Sequence, residues 1–276
     1  MKLIGGKEYY LLFKDLFSHE EQIYFLKHKS EVFDHYKKYE AWIRVQRGGT
    51  VHILGCDRGG KFTSQEFSDH LKKLGSVHHL MVHDSPASNG AVKCANRTHL
   101  DGARAMLEDA KLPKNLWAEA INHHVWLRNR VPMCSLSEPK TPIEMATNQK
   151  PDLSVTHPWG SKMWVKRLDI GKLEPCAEEC RFMGVDSESK GYRVYWPRKN
   201  HVSLERDAYF NEKDALDPDE VPIEEENDIP TNLDHHQHPN NPPKTPPPID
   251  NEPNQPDIQA ETQIIDPSHT NKRPAC

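Results

Sequence analysis

The hydrophobic positions change period several times along the chain, and each change marks an element. Tyr9-Tyr-Leu-Leu-Phe13 and Gln22-Ile-Tyr-Phe-Leu26 are β-rich runs separated by polar Ser18-His-Glu-Glu21, which predicts a hairpin. Apolar residues then recur at helical spacing (Val32, Phe33, Tyr36, Tyr39, Ile43) behind a capping Ser30, and Gly48-Gly49 stop that helix. Val51, Ile53 and Leu54 form a strand running toward Asp57. Thr63 with Glu66 reads as a capping box for a helix that buries Phe67, Leu71 and Leu74 and ends at Gly75, and Val77–Val82 is a further short strand. Beyond the turn Ser85-Pro-Ala-Ser-Asn-Gly90, Val92, Leu100, Ala103, Leu107 and Ala110 share one helical face, and Pro113 separates this helix from another over 116–130. Strands alternating with helices predict an α/β layer.

From His157 the pattern shortens to alternating strands at 162–166, 181–185, 191–196 and 202–204, the texture of a small all-β barrel. Composition changes the picture again beyond it. Residues 212–276 carry 15 acids against 4 bases and 13 of the 22 prolines, whereas residues 1–211 carry 32 bases against 26 acids. The overall charge of −5 therefore hides a basic body joined to an acidic tail. A segment so poor in apolar residues is expected to stay disordered. The resulting division is a core over 1–135, a linker over 136–156, the barrel over 157–211 and the tail over 212–276.

Six scattered cysteines make no disulfide framework, no signal peptide opens the chain, and no apolar run reaches the roughly 20 residues needed to span a bilayer. An intracellular protein without a membrane partner is the expectation. Cys176 and Cys180 are spaced like ligands but lack a second pair for zinc, and His235, His236 and His238 fall in the tail. His78-His79 and His123-His124 cannot chelate as units, because adjacent strand residues face opposite ways and adjacent helical residues diverge by about 100°. Trp117 and Trp126 share a helix with other apolar residues and are read as core. The basic run Lys111 to Lys114, with Arg128 and Arg130, reads as a solvated helix end.

The sharpest chemical candidate is Ile53-Leu-Gly-Cys-Asp-Arg-Gly-Gly-Lys-Phe-Thr63, in which a strand delivers one carboxylate, Asp57, into a glycine turn. An acid at the carboxyl end of a strand faces the open edge of the sheet, and Gly59-Gly60 allow a substrate backbone to approach. The spacing of further motifs gives this stretch a context: Tyr24-Phe-Leu-Lys-His-Lys-Ser-Glu-Val-Phe33, Asn89-Gly90, Asn96-Arg97-Thr98, Ala103-Arg-Ala-Met-Leu107, Leu112-Pro-Lys through Trp117-Ala-Glu-Ala120, Lys140-Thr-Pro142 and Glu188-Ser-Lys-Gly-Tyr-Arg193. In this order they resemble the integrase segment of a copia-type retrotransposon Pol polyprotein, over about residues 5–211.

That resemblance implies an RNase H-like integrase core followed by a small barrel. It implies a metal-dependent polynucleotidyl transferase in which two Asp and one Glu hold Mg²⁺ or Mn²⁺ for DNA strand transfer. It also implies DNA or RNA as partner, a homo-multimer and a nuclear location. The family's second acid matches Asp57, the remaining catalytic and metal residue. The third should stand three residues after Gly90, where this chain has Lys93, and the first belongs to a strand preceding Tyr9. Neither Asp15 nor Asp84 stands at a ligand position. Arg58, Lys61, Asn89, Arg97 and Arg104 are the expected nucleic-acid contacts, although Arg58 and Lys61 replace polar or acidic residues and Cys94-Ala95 replace a basic pair. With one acid of three, the chain is expected to bind nucleic acid without strand transfer. An active enzyme would need compensating acids, and a non-enzymatic interaction module is the other alternative. The absent strand belongs between the first hairpin and the strand leading to Asp57, so a gapped sheet is expected.

Overall fold

The computed structural model describes residues 6–56, 59–80, 90–136, 138–167, 176–186, 189–210 and 258–265. Strands β1 (Tyr9–Asp15) and β2 (Glu21–Leu26) form the expected hairpin, followed by α1 (Val32–Gln46), β3 (Val51–Cys56), α2 (Gln65–Leu74) and β4 (Val77–Leu80). Then come α3 (Gly90–Asp109), α4 (Trp117–Arg128) and a short α5 (Pro142–Thr147). Strands β5 (Lys162–Lys166), β6 (Ala177–Val185), β7 (Tyr192–Trp196), β8 (His201–Glu205) and β9 (Ala208–Phe210) make the second sheet, and β10 (Ile258–Ile265) lies in the tail.

The local chemistry shifts some predicted caps. The helix expected to start at Ser30 opens instead through a single 3₁₀ turn, where the Glu31 carboxylate accepts the amides of Lys27 and His28 at 3.3 and 3.2 Å. For α2 the cap is Ser64 rather than Thr63, its hydroxyl accepting the Phe67 amide at 3.3 Å. Gly75 ends that helix as expected, its left-handed φ of 75° letting its amide fold back onto the Leu71 and Lys72 carbonyls. The linker contains α5, which the Thr141-Pro142-x-Glu144 sequence starts by placing proline in the first turn under a threonine cap.

The first sheet has the order β2-β1-β10-β3-β4. β10 runs antiparallel to β1, with Phe13 opposite Thr262, and parallel to β3, with Cys56 opposite Thr262. Two expectations are thereby corrected. The sheet is not gapped between β1 and β3, and residues 258–265 are a strand rather than disordered. The rest of the 212–276 tail lies outside the described residues. The physical reason is visible in the sequence: Asp257–Asp266 is the longest proline-free run after Pro218, it is rich in β-branched residues, and β1 and β3 offer it ladder groups on both sides.

Tyr10, Leu11, Leu12 and Phe13 are all fully buried, as in a strand covered on both faces. Leu11 and Phe13 pack with Tyr36, Tyr39, Leu54, Phe67 and Leu71 under α1 and α2, and Phe13 stacks on Tyr39 at 4.3 Å. Tyr10 and Leu12 pack on the other side with Ala103, Leu107, Trp117, Ile121 and Val125 of α3 and α4. The second sheet, ordered β8-β7-β6-β5-β9, has its own core of Met163, Val165, Cys180, Phe182, Val194 and Trp196. Its Met183 and Tyr195 join the α3/α4 core. Helix α4 is thus covered by the first sheet on one side and the second on the other. Gly184 makes the approach possible: a Cβ there would stand 3.0 Å from His123 Nδ1, on a backbone with φ of +138°. Among the described residues no helix is long and apolar enough to cross a membrane.

Candidate functional site

The catalytic candidate Asp57 immediately follows β3, but Asp57, Arg58 and Asn89 lie outside the described residues. Gly59 and Phe62 close a tight turn, Phe62 donating its amide to the Gly59 carbonyl at 2.9 Å, and Lys61 sits half-buried within it. Helix α3 supplies the other predicted positions. Lys93, Arg97 and Arg104 recur at helical spacing and are all exposed, while Val92, Asn96, His99 and Ala103 turn inward. Asp101 lies on the same outer stripe, with its carboxylate 3.8 Å from Arg97 Nε and bonded to Arg104 Nη1. The structure therefore gathers Lys93, Arg97 and Arg104 on one face of α3, and that face is basic with one acid set into it.

Behind this face lies a buried polar network absent from the sequence reading. Lys14 and Glu21 are opposite each other across the hairpin, and Lys14 Nζ meets Glu21 Oε1 at 3.0 Å. The second carboxylate oxygen of Glu21 is 2.9 Å from His99 Nε2, both side chains being 1% exposed. His99 Nδ1 faces His124 Nδ1 at 2.9 Å, which requires one ring to donate and the other to accept. Asn129 secures the Glu21 backbone on both sides, accepting its amide at 2.9 Å and donating to its carbonyl at 2.7 Å.

Burial alone would raise the Glu21 carboxyl, but contact with His99 and the charges of His99 and Lys14 outweigh it and lower it to about 2. Burial lowers His124 to about 4, helped by His99 and Arg128; it lowers His123 likewise to about 4, helped by His124 and Arg130. His123 stacks on Trp126 with its Nδ1 unpartnered. Two signals pointed to this network. Lys14 and Glu21 frame a hairpin turn, and His99 falls on the apolar stripe of α3.

The remaining candidates are structural. Cys180 is buried with its thiol donating to the Met163 carbonyl at 3.5 Å, and burial pushes it up to about 12. His78 Nε2 lies 3.0 Å from Cys56 Sγ. Among the described residues no group of three or more His, Cys, Asp or Glu is arranged to hold a metal ion. Trp117 is core as expected, whereas Trp126 is half-buried and carries the Arg130 guanidinium 3.9 Å above its ring.

With this arrangement established, similarity to known proteins can be placed on it. A family model described as the retroviral polymerase SH3-like domain matches residues 161–224, which includes the whole second sheet. The chain is 33% identical over 214 residues to the retrovirus-related Pol polyprotein from transposon TNT 1-94 of Nicotiana tabacum, covering 77% of this chain and 16% of that protein. It is 26% identical over 212 residues to the Pol polyprotein from transposon RE2 of Arabidopsis thaliana, covering 76% of this chain and 14% of the relative. The chain thus spans about one-sixth or less of these relatives. Among solved structures, the HTLV-2 integrase catalytic core domain in complex with magnesium is similar at 21% identity, over 50% of this chain and 84% of that one, with a TM-score of 0.38. A chain of the simian T-cell lymphotropic virus intasome is similar at 19% identity, over 72% of this chain and 70% of that one, with a TM-score of 0.42. The sequence matches define the class: a retrovirus-type Pol protein in which an α/β core precedes an SH3-like domain. Within it, the chain belongs with the Pol polyproteins of copia-type retrotransposons, of which it spans one segment.

Proposed function

We propose that this chain is a nucleic-acid-binding member of the DNA-integration lineage, with an RNase H-like core, that does not itself perform strand transfer. The observation that carries the reading is Lys93, exposed in the first turn of α3, where the family resemblance expects the third acid. A helix N-terminus already presents partial positive charge, which a carboxylate would complement and an ammonium opposes. A dication held beside that ammonium would be repelled by it. Without a third acid, Asp57 is a weaker counterweight. Loss of metal affinity rather than loss of fold is the reason for inactivity in this reading.

Nucleic-acid binding is supported by the exposed stripe of Lys93, Arg97 and Arg104 and by the excess of bases in residues 1–211. DNA is the proposed partner, with the chain acting as a homo-multimer in the nucleus. Two titrations test the reading. Calorimetry with Mg²⁺ or Mn²⁺ should give no micromolar binding, and Lys93→Glu should strengthen it. Fluorescence anisotropy with duplex DNA should give an affinity that falls with salt, and Arg97→Ala with Arg104→Ala should lower the log–log salt slope by about 2.

A second reading rests on one specific observation: β10 brings Glu261 into register with Gly55, two residues before Asp57. In that reading Glu261 is the compensating acid of an active enzyme. Micromolar metal binding lost in both Asp57→Asn and Glu261→Gln would establish it and overturn the first.

A further inference from the structure

The strand between β1 and β3 lies beyond residues 211–257 in the sequence, and among the described residues it alone joins two pairs, β2-β1 and β3-β4, into one sheet. We propose that the slot between β1 and β3 is a strand-binding site, and that residues 258–265 are its intramolecular peptide ligand, one that remains bound when its covalent connection is cut.

Several independent features point this way. The pairing is extensive on both sides: Tyr10 to Asp15 oppose Ile265 to Ala260 in antiparallel order, and Val51 to Cys56 oppose Ile258 to Thr262 in parallel order. Main-chain hydrogen bonds of this kind are how extended peptides add to sheets, and a slot with two edges offers twice the ladder of a single edge. The register is pinned by an irregularity between Ile258 and Gln259 against β3. Pro253 and Pro256 precede the segment and Pro267 follows it, so the pairing run cannot slide far either way without placing a proline in a central ladder. The tail as a whole is acidic and the body basic, which favours their encounter over distance.

The connecting residues 211–257 make the proposed occupant this chain's own strand. That covalent connection makes pairing within the chain unimolecular, with an effective concentration that does not depend on how dilute the protein is. At lower protein concentrations the tethered strand outcompetes the same strand from a second molecule.

The test uses the full chain with a specific protease site inserted between Asn240 and Asn241. After cleavage at ~10 µM protein, the 241–276 fragment should co-elute with the body in gel filtration, and the thermal melt should stay cooperative. A labelled synthetic peptide covering 256–268 should then exchange into the cleaved complex, whereas the same peptide carrying Thr262→Pro should not. Separation of the fragment on cleavage overturns the proposal, whether the body stays folded or precipitates, because the strand would then be held only by its tether. Equal uptake of the two peptides also overturns it. Sedimentation of the uncut chain fixes the occupant: an oligomeric state unchanged by Thr262→Pro is expected, and a dimer abolished by Thr262→Pro would assign the slot to a strand from a second copy instead.

Discussion

The two sheets of this molecule are the same size and are assembled in opposite ways. In the second, every strand comes from residues 162–210, and all neighbours are antiparallel. In the first, the central strand arrives from residues 258–265, after the whole second sheet has been made. Loop-closure entropy rises only slowly with length, so the distant strand costs little more at equilibrium than a nearby one. The difference lies in dependence: the second sheet is completed by its own neighbourhood, while the first is divided if a single remote segment is lost.

The comparison can be broken most severely at Thr262. Proline there removes an amide from a strand paired on both sides, with Phe13 on one and Cys56 on the other. A loss of at least ~3 kcal/mol is expected, seen in chemical denaturation as an early transition of the first sheet. The mirror experiment is Phe182→Ala, which empties the second core where Phe182 is fully buried against Tyr192 and Phe210. Its expected cost is about 3–5 kcal/mol, and the early transition should then report the second sheet.

Glu21→Gln should cost about 3 kcal/mol in thermal or urea melts, because Lys14 loses the charge that compensates its burial. It also separates two limbs of acid denaturation. His123 and His124 are held neutral, with values near 4, so the unfolded chain takes up their protons first and stability falls as pH drops from about 6.5 to 4. Glu21 is held ionised down to about 2, so its contribution is full above about 4.5 and is lost as pH falls from there toward 2. The substitution should remove the lower limb and keep the upper one, deepened somewhat because the Glu21 charge holds His124 up. The smallest effect is expected for Arg193→Ala. The Arg193 guanidinium grips Glu119 of α4 with bonds of 2.7 and 2.8 Å, and its loss should cost roughly 1–2 kcal/mol, with faster exchange of amides where β7 meets α4.

What the sequence revealed follows the same contrast. The hairpin, the strand leading to Asp57, the α3 and α4 helices and most of the second sheet were legible because each is a local period with its own turn residues. Where the β6 and β7 alternation fails, at Phe182-Met183 and Val194-Tyr195-Trp196, both faces are buried, one in the second core and one against α4. β10 was hidden because its composition belongs to the tail, and a strand with β-branched residues is weak evidence without knowledge of the edges awaiting it. The Thr141-Pro142 start of α5 was readable and was masked by its setting in a linker. The site was legible only in part. Lys93, Arg97 and Arg104 lie on one helical stripe as their spacing requires, whereas the Lys14–Glu21–His99–His124 network joins a hairpin to two helices, and no local pattern encodes that meeting.

The most direct measurement is residue-resolved hydrogen exchange on the full chain at neutral pH. The account predicts that amides of residues 258–265 are protected to the same level as those of Leu11, Leu12 and Leu54, since all belong to one ladder. Exchange of 258–265 at free-peptide rates, beside a protected β1 and β3, would contradict it.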